Sequence, residues 1–212
     1  MRAVLVAGSD LTQALDSSLL AGADLLVAVD GGGDALARVE TLPHLLVGDL
    51  DSLSRETRAR FEAQGVEVLL LPVAKDVTDT EAALRVVVER GADDIMVLGA
   101  LGGPRIDHLV GNLLLLTSDW LAGRRVRLVD EWHEAFLAAG DATMTGERGD
   151  TVSLLPLSIE VQNVRTEGLL YPLGGESLFQ SAARGISNSM TGSTARVTHG
   201  EGRLLVIHYR GR

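Results

Sequence analysis

Short runs of Val, Leu, Ile and Ala alternate with longer amphipathic stretches in the first part of the chain. The apolar runs predict strands at Ala3–Ala7, Leu25–Val29, Leu45–Val47, Val66–Leu71, Ile95–Leu98 and Val126–Val129. The amphipathic stretches predict helices at Thr12–Leu20, Asp34–Val39, Arg55–Gln64, Thr80–Arg90 and Asp107–Leu121. Strands and helices that alternate in this way are typical of an α/β fold with a doubly wound, mostly parallel, Rossmann-like sheet.

The pattern changes after Asp130, where short strand-like segments are separated by Gly, Asn and Pro. Strands are predicted there at Thr151–Leu155, Glu160–Val164, Ala195–Thr198 and Leu204–Tyr209. We therefore expect an α/β domain over residues 1–130 and an all-β domain, sandwich-like or barrel-like, over residues 131–212.

Composition limits where the chain acts and what it binds. No apolar run approaches the roughly 20 residues that a membrane-spanning helix needs, so no membrane association is expected. The first residues lead directly into a predicted strand and lack the features of a signal peptide, which favours a cytoplasmic location. The net charge of −10 argues against a nucleic-acid partner.

The chain contains no cysteine, which excludes disulfides, thiolate zinc sites, iron–sulfur clusters and a cysteine nucleophile. A metal ion would have to be held by oxygen or histidine ligands. Because the chain is acidic, a polyphosphate substrate would need a bridging divalent cation, so the composition favours metal-assisted phosphate chemistry.

Acidic residues and glycines follow four of the predicted strands, at the edge where doubly wound sheets bind ligands. The second to fifth strands are followed by Asp30–Gly33, Gly48–Ser52, Lys75–Asp79 and Gly99–His108. We expect these segments to lie along one edge of the sheet.

Asp49 and Asp51 lie two residues apart at a strand end, so their carboxylates point to the same side if the chain is still extended. Two adjacent carboxylates repel each other unless a cation lies between them, and Mg²⁺ prefers such hard oxygen ligands. The alternative is structural: Asp49 begins a turn and Asp51 caps the helix near Arg55. The sequence leaves both interpretations open.

The next strand end carries Lys75, Asp76, Thr78 and Asp79. Thr78 with Glu81 fits a helix capping box. That interpretation does not explain Lys75 or Asp76, which precede the cap where a nucleotide phosphate and a carboxylate-bound metal could meet.

Gly102 and Gly103, followed by Arg105, predict a phosphate-binding turn, because glycine lets backbone N–H groups approach an anion and arginine binds phosphate through two parallel bonds. The spacing matches neither of the common glycine-rich nucleotide motifs, so a simple tight turn remains an alternative. Asp107 could likewise be a helix cap. The glycines after Asp30, Gly31 and Gly32, mark either a turn or a place where a ligand lies against bare backbone.

Taken together, these motifs resemble the thiamine pyrophosphokinase family. The resemblance rests on Asp30–Gly32, Gly48–Ser52, Lys75–Glu81, Gly102-Gly103 with Arg105–His108, Gly168–Leu173 and Gly185–Asn188, which occur in the family's order along almost the whole chain. It departs at two positions: Pro104 separates the glycine pair from Arg105, and Gly33 stands where a small alanine is expected.

The resemblance implies transfer of the pyrophosphoryl group of ATP to the hydroxyethyl oxygen of thiamine, giving thiamine diphosphate and AMP. It implies that residues 1–130 bind ATP and magnesium, that residues 131–212 bind thiamine and form a homodimer, and that the active site lies in a cleft between subunits. The implied magnesium ligands are Asp49, Asp51 and Asp76. The implied residues of the nucleotide and phosphate region are Asp30, Gly31, Gly32, Lys75, Thr78, Asp79, Gly102, Gly103, Arg105 and Asp107. Ser187 and Asn188 would contact the thiamine pyrimidine.

Some choices remain open at this point. Either Asp79 or Asp107 would orient or deprotonate the alcohol, and either Tyr171 or Trp132 would meet the substrate ring. The α/β domain alone does not exclude a pyrophosphokinase for another heterocyclic alcohol, such as a hydroxymethyl pterin. A non-catalytic sensor of nucleotide or thiamine diphosphate is a further alternative, although a binding module has no need of a full set of metal carboxylates.

Overall fold

The computed structural model describes residues 1–8 and 15–211, which form two compact units. The first consists of Met1–Leu115 with Trp120–Glu131, and the second of Leu116–Asp119 with Trp132–Arg212.

The first unit contains six strands, and every pairing among them is parallel. Its strands are β1 (Arg2–Val6), β2 (Leu25–Val29), β3 (Leu45–Gly48), β4 (Glu67–Leu70), β5 (Asp94–Leu98) and β6 (Arg125–Val129). They lie in the order β6-β5-β1-β2-β3-β4. The chain therefore winds outward from β1 in one direction and then returns to add β5 and β6 on the other side, which confirms the predicted doubly wound α/β fold.

Four helices connect these strands: α1 (Gly32–Arg38), α2 (Arg55–Ala63), α3 (Asp79–Glu89) and α4 (Ile106–Leu115). The prediction of one helix from Asp107 to Leu121 was wrong at its end. Helix α4 stops at Leu115, and a separate 3₁₀ turn covers Asp119–Leu121. The intervening Thr117 and Ser118 favour this break, because hydroxyl side chains compete with the helix for backbone hydrogen bonds.

The helix predicted at Thr12–Leu20 begins outside the described residues. Within them, only a short 3₁₀ turn is present, at Ser17–Leu20. Asp16 has an extended backbone, and its carboxylate accepts a hydrogen bond from the Ser18 N–H at 2.8 Å. This local cap starts the turn at Ser17 and prevents a helix from running through Asp16.

The apolar runs form strands because both faces of this sheet are covered. Every residue of β2 and β3 is buried, whereas β4 at the edge of the sheet is partly exposed. The core around them includes Leu36 of α1 and Phe61 of α2. Parallel strands need cover on both faces, and this explains their nearly continuous apolar sequence.

The second unit is built from two antiparallel sheets. Its strands are β7 (His133–Ala138), β8 (Asp141–Thr145), β9 (Thr151–Pro156), β10 (Glu160–Glu167), β11 (Gly174–Phe179), β12 (Asn188–Ser189), β13 (Thr194–Thr198) and β14 (Leu204–Tyr209). One sheet has the order β12-β9-β14-β7 and the other β11-β10-β13-β8. Residues from both sheets share a single core, so the unit is a β-sandwich, as the sequence predicts.

In the described part of the chain, no helix is both long enough and apolar enough to span a membrane.

Candidate active site

Three carboxylates meet where β2 and β3 end. The two strands are neighbours, with Val29 paired to Val47, and the Asp30 N–H donates to the Val47 carbonyl at 2.9 Å. Asp30, Asp49 and Asp51 each offer a carboxylate oxygen, and these three oxygens lie within 4.8 Å of one another. We call these residues the carboxylate group.

Two glycines allow the backbone to approach closely around this group. A Cβ atom on Gly48 would lie 3.1 Å from the Cβ of Asp30, and Gly48 has a φ of +148°. A Cβ on Gly32 would lie 2.0 Å from the Val6 carbonyl oxygen, a distance that no side chain tolerates. Glycine at these positions thus packs α1 against β1 and brings Asp49 beside Asp30.

The environment of Asp30 is poorly suited to a lone carboxylate. Burial raises the pKa of Asp30, hydrogen bonds from Ser52 oppose the rise, and the neighbouring Asp51 and Asp79 carboxylates add to it. Its Oδ1 atom is buried and has no hydrogen-bond partner among the described residues. A buried oxygen without a partner is costly, and a bound cation would satisfy it.

Asp49 and Asp51 are held partly by their own turn. The Asp51 N–H donates to Asp49 Oδ1 at 3.3 Å, and Ser52 Oγ donates to Asp51 Oδ1 at 3.0 Å. This is the turn that the structural interpretation expected for Asp49. The cap of α2 is Ser54, whose Oγ accepts from the Thr57 N–H, so Asp51 is not the helix cap.

Lys75 connects the carboxylate group to α3. Its Nζ lies 3.3 Å from Asp49 Oδ2 and 3.2 Å from Asp79 Oδ1, and the lysine side chain is only 13% exposed. Although burial opposes the charge, the Asp79 and Asp49 carboxylates raise the pKa of the Lys75 ammonium. The Asp51 N–H and then Lys75 lower the pKa of Asp49.

Asp76, Thr78 and Asp79 lie at or before the start of α3. Thr78 caps the helix, since its Oγ1 accepts from the Glu81 N–H at 3.1 Å. Glu81 pairs with Arg85. Asp76 is exposed and is not one of the three residues of the carboxylate group.

The segment after β5 is exposed and pairs with itself. Arg105 donates to Asp107 through Nε at 2.9 Å and through a terminal nitrogen at 2.5 Å. This hydrogen-bonded pair lowers the pKa of Asp107 to about 2. Gly102 and Gly103 are both exposed, and Gly103 has a φ of +93°.

Ser187 and Asn188 lie in the second unit. Ser187 has a φ of +60°, and its N–H donates to Ser153 Oγ at 3.0 Å. Asn188 is 8% exposed and hydrogen-bonds the backbone of Tyr171, whose own side chain is 67% exposed.

The sequence did not predict that the Asp30 carboxylate lies beside those of Asp49 and Asp51. The signal for this was the strand order: once β2 and β3 are neighbours, the residues that follow them must meet. The part played by Ser153 had no signal in the sequence, because it arises from contact between β9 and the residues just before β12.

The donor set fits a hard divalent cation. Three carboxylates supply oxygen ligands, and one of them has a buried oxygen without a partner among the described residues. Mg²⁺ is commonly held by a few carboxylates together with substrate phosphates, and the single Lys75 ammonium does not neutralise all of these charges.

Comparison with known proteins matches both units to one family. The model for the thiamin pyrophosphokinase catalytic domain matches residues 17–128, and the model for the family's vitamin B1 binding domain matches residues 142–204. The chain belongs to the thiamin pyrophosphokinase family.

Relatives of this family agree over nearly the whole length. The thiamine pyrophosphokinase of Bacillus subtilis is 28% identical over 185 residues, which is 86% of each chain. The crystal structure of a Bacillus subtilis thiamine pyrophosphokinase superposes with a TM-score of 0.90 at 26% identity, covering 100% of both chains. That of thiamin pyrophosphokinase from Geobacillus thermodenitrificans gives 0.86 at 29% identity, covering 100% of this chain and 98% of the other.

Proposed function

We propose that the carboxylate group is the centre at which this member of the thiamin pyrophosphokinase family transfers the pyrophosphoryl group of ATP to thiamine. The chain is an ATP-dependent thiamine diphosphokinase by family, and the products are thiamine diphosphate and AMP. The observation that carries the location is the meeting of three carboxylates at the ligand-binding edge of a doubly wound sheet, where one buried oxygen has no hydrogen-bond partner among the described residues.

Magnesium is the cofactor that this donor set favours. Asp30, Asp49 and Asp51 would hold it, and Asp76 is a further candidate ligand from the loop before α3. When bound, Mg²⁺ neutralises charge on the polyphosphate and on the transferred group. The chain's own acidic residues would otherwise repel ATP.

Cationic and backbone groups complete the phosphate region of the proposed site. Lys75 is preorganised by its ion pairs with Asp49 and Asp79, so its ammonium is already oriented beside the carboxylate group. Thr78 and the N-terminus of α3 follow directly, and helix N-termini attract anions. Further backbone N–H groups come from Gly31, Gly32, Gly102 and Gly103, and a guanidinium comes from Arg105. Such transfers depend mainly on positioning and charge neutralisation.

Asp79 is the better candidate for orienting the thiamine alcohol. It lies close enough to Asp30 to raise the pKa of that carboxyl, and it pairs with Lys75. Asp107, in contrast, has a pKa of about 2 because Arg105 binds it, and a carboxylate of such low basicity is a weak proton acceptor.

The thiamine side of the proposed site includes Ser187 and Asn188 of the second unit. We further infer a homodimer with its active sites between subunits. Exposed apolar side chains of the second unit support the dimer: Ile159 is 84% exposed and Phe179 48%, and they are neighbours, since Phe179 pairs with Glu160. A cytoplasmic location is proposed because ATP, the second substrate, is available there.

The proposed function is tested by incubating the chain with ATP, Mg²⁺ and thiamine and separating the products by chromatography. Equal amounts of AMP and thiamine diphosphate are expected, and EDTA should abolish both. AMP formed only with a hydroxymethyl pterin would identify that alcohol, and not thiamine, as the substrate. No AMP with either alcohol would contradict catalysis and favour a sensor.

A further inference from the structure

Two segments of the second unit, Gly168–Leu173 and residues 188–191, are fastened to each other. The Leu170 N–H donates to the Ser189 carbonyl, and the Thr191 N–H donates to the Gly168 carbonyl, both at 2.9 Å. An antiparallel bridge joins Leu169 to Met190 between these two bonds. The backbone of the first segment is therefore held against β12.

The Asn188 side chain continues this ladder by one further residue. Its Oδ1 accepts the Tyr171 N–H at 3.0 Å, and its Nδ2 donates to the Tyr171 carbonyl at 2.6 Å. The same Oδ1 accepts the Ser189 N–H at 2.9 Å. An asparagine amide offers two donors and two acceptor sites, so these bonds occupy three of its four hydrogen-bonding positions.

Asn188 and Tyr171 differ strongly in exposure, and this difference indicates that they have different roles. Asn188 is 8% exposed, whereas the side chain that it secures, that of Tyr171, is 67% exposed. A buried amide with both acceptor sites filled by backbone N–H groups has little capacity left to recognise a substrate ring directly. An exposed side chain on a backbone fixed at both its N–H and its carbonyl is well placed to meet a ligand at low cost in entropy.

We propose that Asn188 is a positioning residue of the thiamine site, which acts by clamping the backbone of Tyr171 instead of by bonding to thiamine itself. This inference rests on the proposed function for the identity of the substrate, thiamine. The hydrogen bonds of the clamp are present in the protein without substrate. The clamp also reaches Ser187, the residue before Asn188, whose positive φ is stabilised by the bond from its N–H to Ser153. A shift of Asn188 would be passed to both neighbours.

The test uses Asn188→Asp, which keeps the shape and the two accepted bonds but replaces the donor to the Tyr171 carbonyl with a repelling oxygen. Asn188→Ala is the second variant, and Asn163→Asp, at an exposed position of β10, adds the same charge as a control. The chain has only two tyrosines, so labelling with 3-fluorotyrosine gives two ¹⁹F resonances. Tyr209, stacked on His133 with ring centroids 4.9 Å apart, provides an internal reference for the fold.

We expect Asn188→Asp to shift or broaden the Tyr171 resonance in the free protein and to leave that of Tyr209 unchanged. The KM for thiamine should rise about tenfold, the effect of losing one hydrogen bond at a buried group, while the KM for ATP stays within about twofold. Asn163→Asp should change neither quantity. If Asn188→Ala also changes the Tyr209 resonance, that variant has disturbed the fold, and the test then rests on Asn188→Asp alone.

An unchanged Tyr171 resonance in Asn188→Asp would overturn the clamp, and a raised thiamine KM beside it would identify Asn188 as a direct contact. The NMR comparison needs no substrate. Absence of thiamine turnover by the unaltered chain would instead overturn the proposed function, and with it the substrate part of this inference.

Discussion

Several single residues at the proposed site have backbone conformations that few side chains adopt. Non-glycine residues with positive φ include Asp30 at +46°, Leu50 at +63° and Ser187 at +60°. Asp30 and Leu50, the residue after Asp49, lie where the Asp30 and Asp49 carboxylates come together. Ser187 belongs to the thiamine side of the proposed site. Conformations of this kind cost about 1–3 kcal/mol each and persist where surrounding contacts impose them, often at functional sites.

Gly32 is the position at which we expect one added methyl group to destabilise the fold most. In Gly32→Ala the new Cβ would lie 2.0 Å from the Val6 carbonyl oxygen, so we expect a loss of about 3 kcal/mol or more in the free energy of unfolding. Chemical denaturation measures it. Gly111→Ala in α4 is the control: apart from its chain neighbours and the backbone of its own helix, no described atom lies within 4 Å of the added Cβ, and the change should stabilise the fold by about 0.5–1 kcal/mol. Equal stability of the two variants would contradict the packing described.

Residue spacing in the sequence marked Asp49 and Asp51 as candidate metal ligands but left a structural turn as an equal alternative. It could not place Asp30 beside them, since that contact follows from strand order and from the bare backbone at Gly48. Nor could it show that the Asn188 amide is occupied by Tyr171. Both are tertiary contacts between segments distant in sequence.

At the scale of elements, α1 and α2 are joined at their N-terminal ends by Asp34. Its carboxylate accepts the Ser54 N–H at 3.0 Å and the Ser54 hydroxyl at 2.6 Å. Ser54 in turn caps α2. The loop from Asp49 to Ser54 is therefore tied to α1 at the point where α2 begins.

Asp34→Ala should lower the free energy of unfolding by about 1–2 kcal/mol near neutral pH, because two hydrogen bonds to a carboxylate are lost. Despite an opposing effect of burial, the bonds from Ser54 and Thr57 lower the pKa of Asp34 from 3.8. The stabilisation is therefore fully present above the unfolded value and is lost as the pH falls through the folded one.

Denaturation of both proteins at about pH 7, 5 and 3.5 checks this prediction. The difference between wild type and Asp34→Ala should be the same at the two higher values and smaller at the lowest. Asp34→Asn, which keeps one acceptor, should lose less. A difference that grows in acid would contradict the assignment.

Strands with a clear hydrophobic pattern were predicted at or close to their observed bounds, whereas strands without one were not predicted. The runs of β2 and β14 were predicted with the observed ends, since burial enforces their pattern. In contrast, β8 buries only Met144 and β11 begins with two glycines, so neither carries a clear strand signal. Helix α4 ends at Leu115, and the hydrophobic pattern that continues to Leu121 hid the break at Thr117 and Ser118.

At the scale of the whole molecule, the proposed dimer gives a direct prediction of mass. The chain has a mass of 22.4 kDa, and light scattering coupled to size exclusion should find twice that value. Phe179→Glu, which places a charge beside the exposed Ile159, should shift the protein toward the monomer, since burying an unpaired charge is costly. A monomer at all concentrations of the unaltered chain would contradict the dimer.

In the proposed function, the two units divide the chemistry of the reaction as well as the chain. Acidic residues for a metal and its polyphosphate lie in the α/β unit, and the β-sandwich carries the clamped Tyr171 segment together with Ser187. This division is what the family resemblance implies, and composition alone does not give it. The contacts that make each part rigid had to come from the structure.

Binding of the magnesium ion used with ATP by the carboxylate group is the main feature of the proposed site. It is tested most directly by titrating AMP formation with Mg²⁺ for the unaltered chain, Asp51→Asn, and Asp119→Asn as a control at a side chain 93% exposed. We predict that Asp51→Asn raises the Mg²⁺ concentration for half-maximal activity about tenfold or more and lowers the maximal rate about 10²-fold, with Asp119→Asn unchanged. A Mg²⁺ dependence in Asp51→Asn identical to that of the unaltered chain would contradict the claim.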